Sequence, residues 1–252
     1  MPGVLPLASR SACPAFPNRN DMRLFKILDE WGITPYQNFL WNLPKNGKPG
    51  AWQKKIQGKL VACENGYHLL REQDLMYWLN AGPAIYEAAY TGELVVSDIK
   101  IIVRNARLIQ RIDNWNKRTN RLFAADCAEH VLHLYEKKNP WLFAPRLAIQ
   151  AARDFANGKI SREELASAEF TARDAAWAAI GVAVLTSAED AVWASAWASA
   201  ESAARNAAGG TAGSTARTAR DAAGYAAWST AKGAECEWQT ARLMQYLDGE
   251  VA

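Results

Sequence analysis

A chain of 252 residues, half of them hydrophobic (50%), is long enough to bury one large core or two smaller ones. Its formal net charge of +3 is mild, and Lys and Arg form no run that would track a phosphate backbone, which argues against nucleic-acid binding. No apolar stretch approaches the roughly 20 residues of a membrane-spanning helix. The four cysteines, Cys13, Cys63, Cys127 and Cys236, lack paired spacing, which is typical of a reduced cytoplasmic protein.

Residues 1–21 contain several prolines and show no hydrophobic periodicity, so we expect a disordered N-terminal extension. The apolar run Val4–Leu7 is interrupted by Pro6 and is too short for the core of a signal peptide. The sequence leaves open whether Met1 or Met22 is the true start.

Residues 22–112 predict a small antiparallel α+β domain. Short segments rich in Val, Ile and Leu alternate with turn signals, which is typical of β-strands. These segments are 22–28, 59–63, 84–90, 94–96, 100–103 and 107–112. A short helix is expected over 73–80, before the break at Gly82 and Pro83.

The turn at residues 64–66 follows a predicted strand end, a common position for a binding site. The candidate ligand or partner site consists of Cys63, Glu64, Tyr67, His68, Tyr86 and Glu87. His68, Tyr86 and Glu87 resemble residues of some ADP-ribosyltransferases. That resemblance implies that the histidine holds a ribose, the aromatic stacks on nicotinamide and the glutamate stabilises an oxocarbenium-like state. Tyr86 and Glu87, as neighbours on one strand, should nevertheless face opposite sides. A purely structural turn and a non-catalytic ligand or partner site stay open.

The first helix of the C-terminal half is predicted over 113–138, where apolar residues recur with a 3.6-residue period. Asp113 is the candidate N-cap, and Pro140 stops the helix. Cys127, His130 and His133 lie at i, i+3 and i+6, but they diverge around the helix so that one metal ion would reach only two of them. We therefore expect no metal site, with Cys127 in the core and both histidines beside it.

Two further helices follow after short loops. Pro145 suits the first turn of the second helix, which should end near Gly158 in a left-handed conformation. Ser161 and Glu164 have the spacing of a capping box that begins the third helix. Helices joined by such short loops are expected to pack as antiparallel neighbours.

A family resemblance covers the same region. The stretch ADCAEHVLHLYEKKNPWLFAPRLAIQAARDFANGKI, residues 125–160, resembles the helical segment of a predicted immunity-protein family from bacterial polymorphic-toxin systems. With the repeat RDAAWAA at 173–179, it is also similar to uncharacterised proteins of bacteriophages and actinobacteria. So is the segment 63–79, in which Cys63, Gly66 and His68 precede the tripeptide YWL. The resemblance implies a mostly helical fold and a role in neutralising a toxin.

Beyond residue 166 the chain contains degenerate repeats of a charged pair, an alanine pair and an aromatic residue. Alanine has the highest helix propensity, so this region should be helical. Two interpretations stay open: a packed helical array or hairpin within one chain, or an elongated alanine-rich coil that forms homo-oligomers or presents a face to a partner.

These patterns predict an α+β protein in which a β-rich domain (22–112) precedes an all-helical, alanine-rich domain (113–248). We interpret it as a non-catalytic, immunity-like binding protein of phage or bacterial origin that contacts another protein and needs no cofactor. Exposed aromatic residues often anchor such interfaces, and the candidates are Trp141, Phe143, Trp193 and Trp197. The alternatives are an ADP-ribosyltransferase-like or nucleotide-binding N-terminal domain and a self-assembling structural phage component.

Overall fold

A computed structural model shows a mixed α+β fold in which a curled antiparallel sheet precedes a helical region, and this confirms the predicted class. The structure describes residues 22–138, 140, 141, 143–168 and 233–251. The predicted N-terminal extension and alanine-rich repeats, with Trp193 and Trp197, lie outside these residues. Within the described ranges, no helix is both long enough and apolar enough to cross a bilayer.

Within the described residues the sheet has four strands in the order β1-β3-β4-β2, and every pair is antiparallel. The strands are β1 (Leu24–Leu28), β2 (Tyr67–Leu69), β3 (Ala84–Ser97) and β4 (Lys100–Arg111). Phe25 of β1 and Leu70, next to β2, exchange two backbone hydrogen bonds of 2.8 Å. The two outer strands therefore meet, and the sheet curls onto itself.

Strands β3 and β4 form one long hairpin of 14 and 12 residues, where the sequence predicted four shorter segments. The turn signal at Thr91 and Gly92 produces a bulge instead. The register shifts between Thr91 and Leu94, and Gly92 has a φ of 84°, which glycine adopts without strain. A bulge lets the hairpin continue because pairing resumes immediately beyond it.

The helices described are α1 (Leu75–Trp78), α2 (Lys117–Lys138), α3 (Ala144–Ala156), α4 (residues 162–168, where a described range ends) and α5 (Gly233–Asp248). Short 3₁₀ turns, Glu72–Asp74 and Leu79–Ala81, flank α1. Together with α1 they account for the helix predicted over 73–80.

The predicted C-terminus of α3 and the predicted N-terminus of α4 are confirmed. Gly158, just after α3, has a φ of 69°, as expected for a left-handed residue at a helix C-terminus. The backbone N–H of Ser161 donates to the Glu164 carboxylate at 2.7 Å, and the Glu164 N–H donates to the Ser161 hydroxyl at 3.2 Å. These reciprocal bonds are those of a capping box.

The predicted N-cap of α2 is wrong by three residues. The helix begins at Lys117, and the side-chain oxygen of Asn116 accepts the N–H groups of Arg118 and Thr119 at 3.0 and 3.2 Å. Asp113 lies before this cap. Asn116 therefore satisfies the first free N–H groups of the helix, the role predicted for Asp113.

Side chains of β1 alternate between two hydrophobic clusters, as the pleat of a strand requires. Leu24 and Leu28 pack with Trp41 and other buried residues of the sheet. Phe25 and Ile27 belong to a second cluster that includes side chains of α1, α2, α3 and α5: Leu75, Phe123, Val131, Ile149, Leu243 and Tyr246. Residues on both sides of the predicted boundary at 112 thus share one core, and the division into two domains stays a prediction.

Helix α5 returns to the beginning of the sheet. Its residue Asp248 forms an ion pair with Arg23 at 2.8 Å, and the Leu247 carbonyl accepts a hydrogen bond from the Asn114 side chain at 3.1 Å. The end of the described chain therefore packs beside its beginning, and the helical region lies against one face of the sheet.

Candidate functional site

The turn before β2 places Cys63 next to His68. The Val61 carbonyl accepts the N–H groups of Glu64 and Asn65, so the strand predicted over 59–63 is wrong and this segment is a turn. Cys63 adopts a left-handed φ of 68° and donates its N–H to His68 Nε2 at 3.1 Å. Because Nε2 accepts this hydrogen bond, it carries no proton and the imidazole ring is neutral.

The environment of His68 favours this neutral form. Burial, followed by the positive charges of Lys100 and Lys26, lowers the pKa of His68 from 6.5 to about 4. Between pH 6.5 and 4, His68 is therefore mostly protonated in the unfolded chain but mostly neutral in the folded chain. Stability contributed by neutral His68 is present above pH 6.5 and is lost as the pH falls through this window.

We expect this loss to be about 1 kcal/mol, because the ring is partly exposed and solvent screens its interactions. Urea unfolding of the wild-type chain and of His68→Gln at pH 7 and pH 4.5 measures it. The stability difference between the two proteins should shrink by about that amount at the lower pH. An equal difference at both pH values would contradict the assignment.

Gly66 allows this turn to approach the sheet. It has a φ of 140°, and a Cβ at this position would clash with Ile102 Cγ2 and lie 3.3 Å from Leu60 Cδ2. Gly47 is a matched control, because its φ of 71° is also positive but no atom lies within 4 Å of its added Cβ. We expect Gly66→Ala to lower the free energy of unfolding by about 1–2 kcal/mol more than Gly47→Ala does, as measured by urea unfolding. Equal losses would show that the contact with β4 is unimportant.

Cys63 and His68 border a cavity of about 290 Å³ between this turn, β1 and α1. Lys26 and Lys100 also line it, and Tyr36 and Trp78 supply aromatic walls. The sequence prediction did not include either lysine. One sequence feature could have marked Lys26 as a candidate site residue: it is the charged residue in the middle of the otherwise apolar strand LFKIL.

The other predicted residues of this site lie elsewhere or have different partners. Glu64 is exposed, and the hydroxyl of buried Tyr67 donates to the Lys54 carbonyl at 2.8 Å. Tyr86 is buried in the sheet cluster, whereas Glu87 accepts hydrogen bonds from Arg23 at 2.8 Å and from Gln110 at 2.7 Å. Tyr86 and Glu87 therefore do not join His68 at the cavity.

A second surface of interest lies where the chain enters α3. Trp141 is 85% exposed, Phe143 57% and Leu147 60%. Phe143 and Leu147 are one helical turn apart, and we call these three residues the α3 patch. Beside it, Arg146 forms two hydrogen bonds of 2.8 Å with the Glu136 carboxylate of α2. This bidentate contact raises the pKa of Arg146 and holds α3 against α2.

Cys127, His130 and His133 have different surroundings on α2. Cys127 is fully buried, and burial raises the pKa of its thiol. His130 contacts the Glu235 carboxylate at 2.7 Å and stacks on Trp238, with ring centroids 3.8 Å apart, whereas exposed His133 bonds to the His130 carbonyl. In the part of the chain that the structure describes, no group of three or more such side chains could hold a metal ion.

A buried carboxylate connects three helices. Asp126 of α2 accepts hydrogen bonds from Arg153 of α3 at 2.6 Å and from Arg242 and Tyr246 of α5 at 2.7 Å each. Burial and the negative charge of Asp126 raise the pKa of Tyr246. These bonds, which we call the Asp126 network, fix the relative positions of α2, α3 and α5.

The sheet thus supports a helical region that is held by a buried polar network and exposes an aromatic patch. A family model described as "Imm-5 like putative immunity protein" matches residues 110–246, more than half of the chain. The chain belongs to this Imm-5-like immunity protein family, and the resemblance inferred from residues 125–160 is confirmed. No curated protein and no solved structure matches the chain.

Proposed function

We propose that this chain binds a protein toxin and neutralises it by direct contact through the α3 patch. Membership of the Imm-5-like family carries the proposal, because an immunity protein acts on a cognate toxin. The patch lies inside the matched range, whereas most of the sheet lies outside it.

The chemistry of the α3 patch supports this role. Tryptophan is among the residues that contribute most to binding at protein interfaces, particularly at the centre of an apolar surface with a polar rim. Trp141, Phe143 and Leu147 supply the apolar surface, and the charged pair Arg146–Glu136 lies at its edge. A large exposed tryptophan is costly to leave in water, so burial against a partner would be favourable.

The patch also has a firm base. Helix α3 buries Ala148, Ile149 and Ala152 on the side that faces the protein core. Phe143 and Leu147 are thereby presented by a packed helix, and little conformational freedom would be lost when a partner binds. The pair Arg146–Glu136 adds a further contact between α3 and α2.

Size-exclusion chromatography with light scattering tests the proposal directly. The purified chain is mixed with a catalytically disabled polymorphic-toxin domain encoded in the same genome. We expect a complex whose mass is the sum of the two proteins. Separate elution of the two proteins at micromolar concentration, for every toxin domain of that genome, would contradict the proposal. The mass of the chain alone also tests the self-assembly hypothesis, which concerns residues outside the described ranges.

A further inference from the structure

Two lysines from different strands converge on the cavity beside His68. Lys26 of β1 is partly buried, and its Nζ donates to the His68 carbonyl at 3.1 Å and lies 5.1 Å from the centre of the Trp41 ring. Lys100 of β4 is only 8% exposed, and its Nζ lies 3.0 Å from Cys63 Sγ and 5.3 Å from the centre of the Trp78 ring. Both side chains line the cavity.

Neither ammonium group has a carboxylate within ion-pair distance among the residues that the structure describes. Buried charges are normally paired, because removing a charge from water without a counter-ion is expensive. Here the nearest acceptors are a neutral carbonyl and a sulfur atom. Burial and the charge of Lys100 lower the pKa of Lys26 to about 8, so the two ammonium groups already repel each other.

The remaining walls are mostly apolar. Ile27 and Leu70 form part of the wall, and the rings of Tyr36 and Trp78 pack edge to face with centroids 6.2 Å apart. His68 adds a neutral ring. The volume of about 290 Å³ lies just below the usual range of small-molecule sites, roughly 300–1,000 Å³. The cavity therefore suits a small ligand with an apolar body and one negative group.

We propose that this cavity binds a small organic anion, with its carboxylate or phosphate group between Lys26 and Lys100 and its apolar body against Tyr36 and Trp78. An anionic group supplies the counter-charge that the two lysines lack and accepts their free N–H bonds. The cavity lies in residues outside the family match, so this site is independent of the proposed toxin contact.

Isothermal titration calorimetry with three probes tests the site. Benzoate carries a carboxylate, phenyl phosphate a phosphate, and benzamide is the neutral analogue of benzoate. We expect benzoate or phenyl phosphate to bind the full chain at least ten-fold more tightly than benzamide does. The tighter of the two anions identifies the preferred head group. Absence of binding by both anions, or equal binding of benzamide, would overturn the proposal.

Lysine variants test whether the anion binds between Lys26 and Lys100. Lys100→Met and Lys26→Met keep an apolar stem of similar length but remove the charge, and each should weaken anion binding at least ten-fold. Lys48→Met is the matched control, because Lys48 is exposed in a turn away from the cavity, and it should leave the affinity unchanged. Unaltered affinity in a folded Lys100→Met protein would rule out this site.

A second measurement needs no variant. Cys63 borders the cavity and is exposed, whereas Cys236 on α5 provides an internal reference. We expect a saturating concentration of the tighter-binding anion to slow alkylation of Cys63 by iodoacetamide several-fold relative to Cys236, as followed by peptide mass spectrometry. An unchanged ratio would show that the anion binds elsewhere and would overturn the proposal.

Discussion

Asp126→Asn should destabilise the protein by about 3 kcal/mol, because it removes the one charge on which two arginines from different helices converge. The Asp126 side chain is 9% exposed, and those of Arg153 and Arg242 are 26% and 28% exposed. Arg153 keeps a second carboxylate, Glu129 at 2.6 Å. Among the described residues Arg242 has no second carboxylate and would face a neutral amide, whereas Arg153 keeps an ion pair. We therefore expect the loss at the lower end of the range for broken buried ion pairs, roughly 3–5 kcal/mol.

Chemical denaturation of the wild-type chain and of the variant measures this loss. Asp113→Asn is the matched control, because the Asp113 side chain is 87% exposed and its contact with Arg111 is 3.6 Å long. The control should change the free energy of unfolding by no more than about 0.5 kcal/mol. Similar losses for the two variants would show that the Asp126 network does not hold α2, α3 and α5 together.

The second large effect concerns binding. Trp141→Ala should weaken the complex with the toxin domain by about 2–4 kcal/mol, or roughly 30-fold to 1,000-fold in Kd, if Trp141 anchors the interface as proposed. The side chain is 85% exposed in the free chain, so its truncation should leave the stability almost unchanged. Calorimetric titration of the toxin domain, with thermal unfolding measured alongside, separates the two quantities.

Trp31→Ala is the control for that titration. Trp31 has the same side chain and is 71% exposed, but it lies after β1 and outside the range of the family match. Its replacement should change the affinity less than three-fold. Strong loss with Trp31→Ala and none with Trp141→Ala would move the interface to the exposed loop beside the sheet.

Local patterns in the sequence were sufficient to predict much of the fold. The alternation in 22–28 predicted β1, and the capping box of Ser161 and Glu164 and the left-handed Gly158 are present as expected. Each depends on residues at most three or four positions apart. The Asp113 prediction failed because several polar residues precede α2, and propensity alone does not choose between Asp113 and Asn116.

Several of the contacts that form the sites join residues that are far apart in the chain. Cys63 and His68 are close in sequence, so their proximity could be predicted. Lys26 and Lys100 meet only because the sheet curls, and nothing local in the sequence specifies that closure. The Asp126 network likewise needs α5, whose Arg242 follows Asp126 by 116 residues. The sequence could suggest that Trp141 is exposed, but it could not decide between exposure and burial, since apolar residues occur in both environments.

Survival of cells that express the active toxin domain is the most direct test of the proposed function. We expect co-expression of the intact chain to restore growth, Trp31→Ala to do so equally, and the double variant Trp141→Ala/Phe143→Ala to fail at matched expression. No protection by the intact chain, or full protection by the double variant, would contradict toxin neutralisation through the α3 patch.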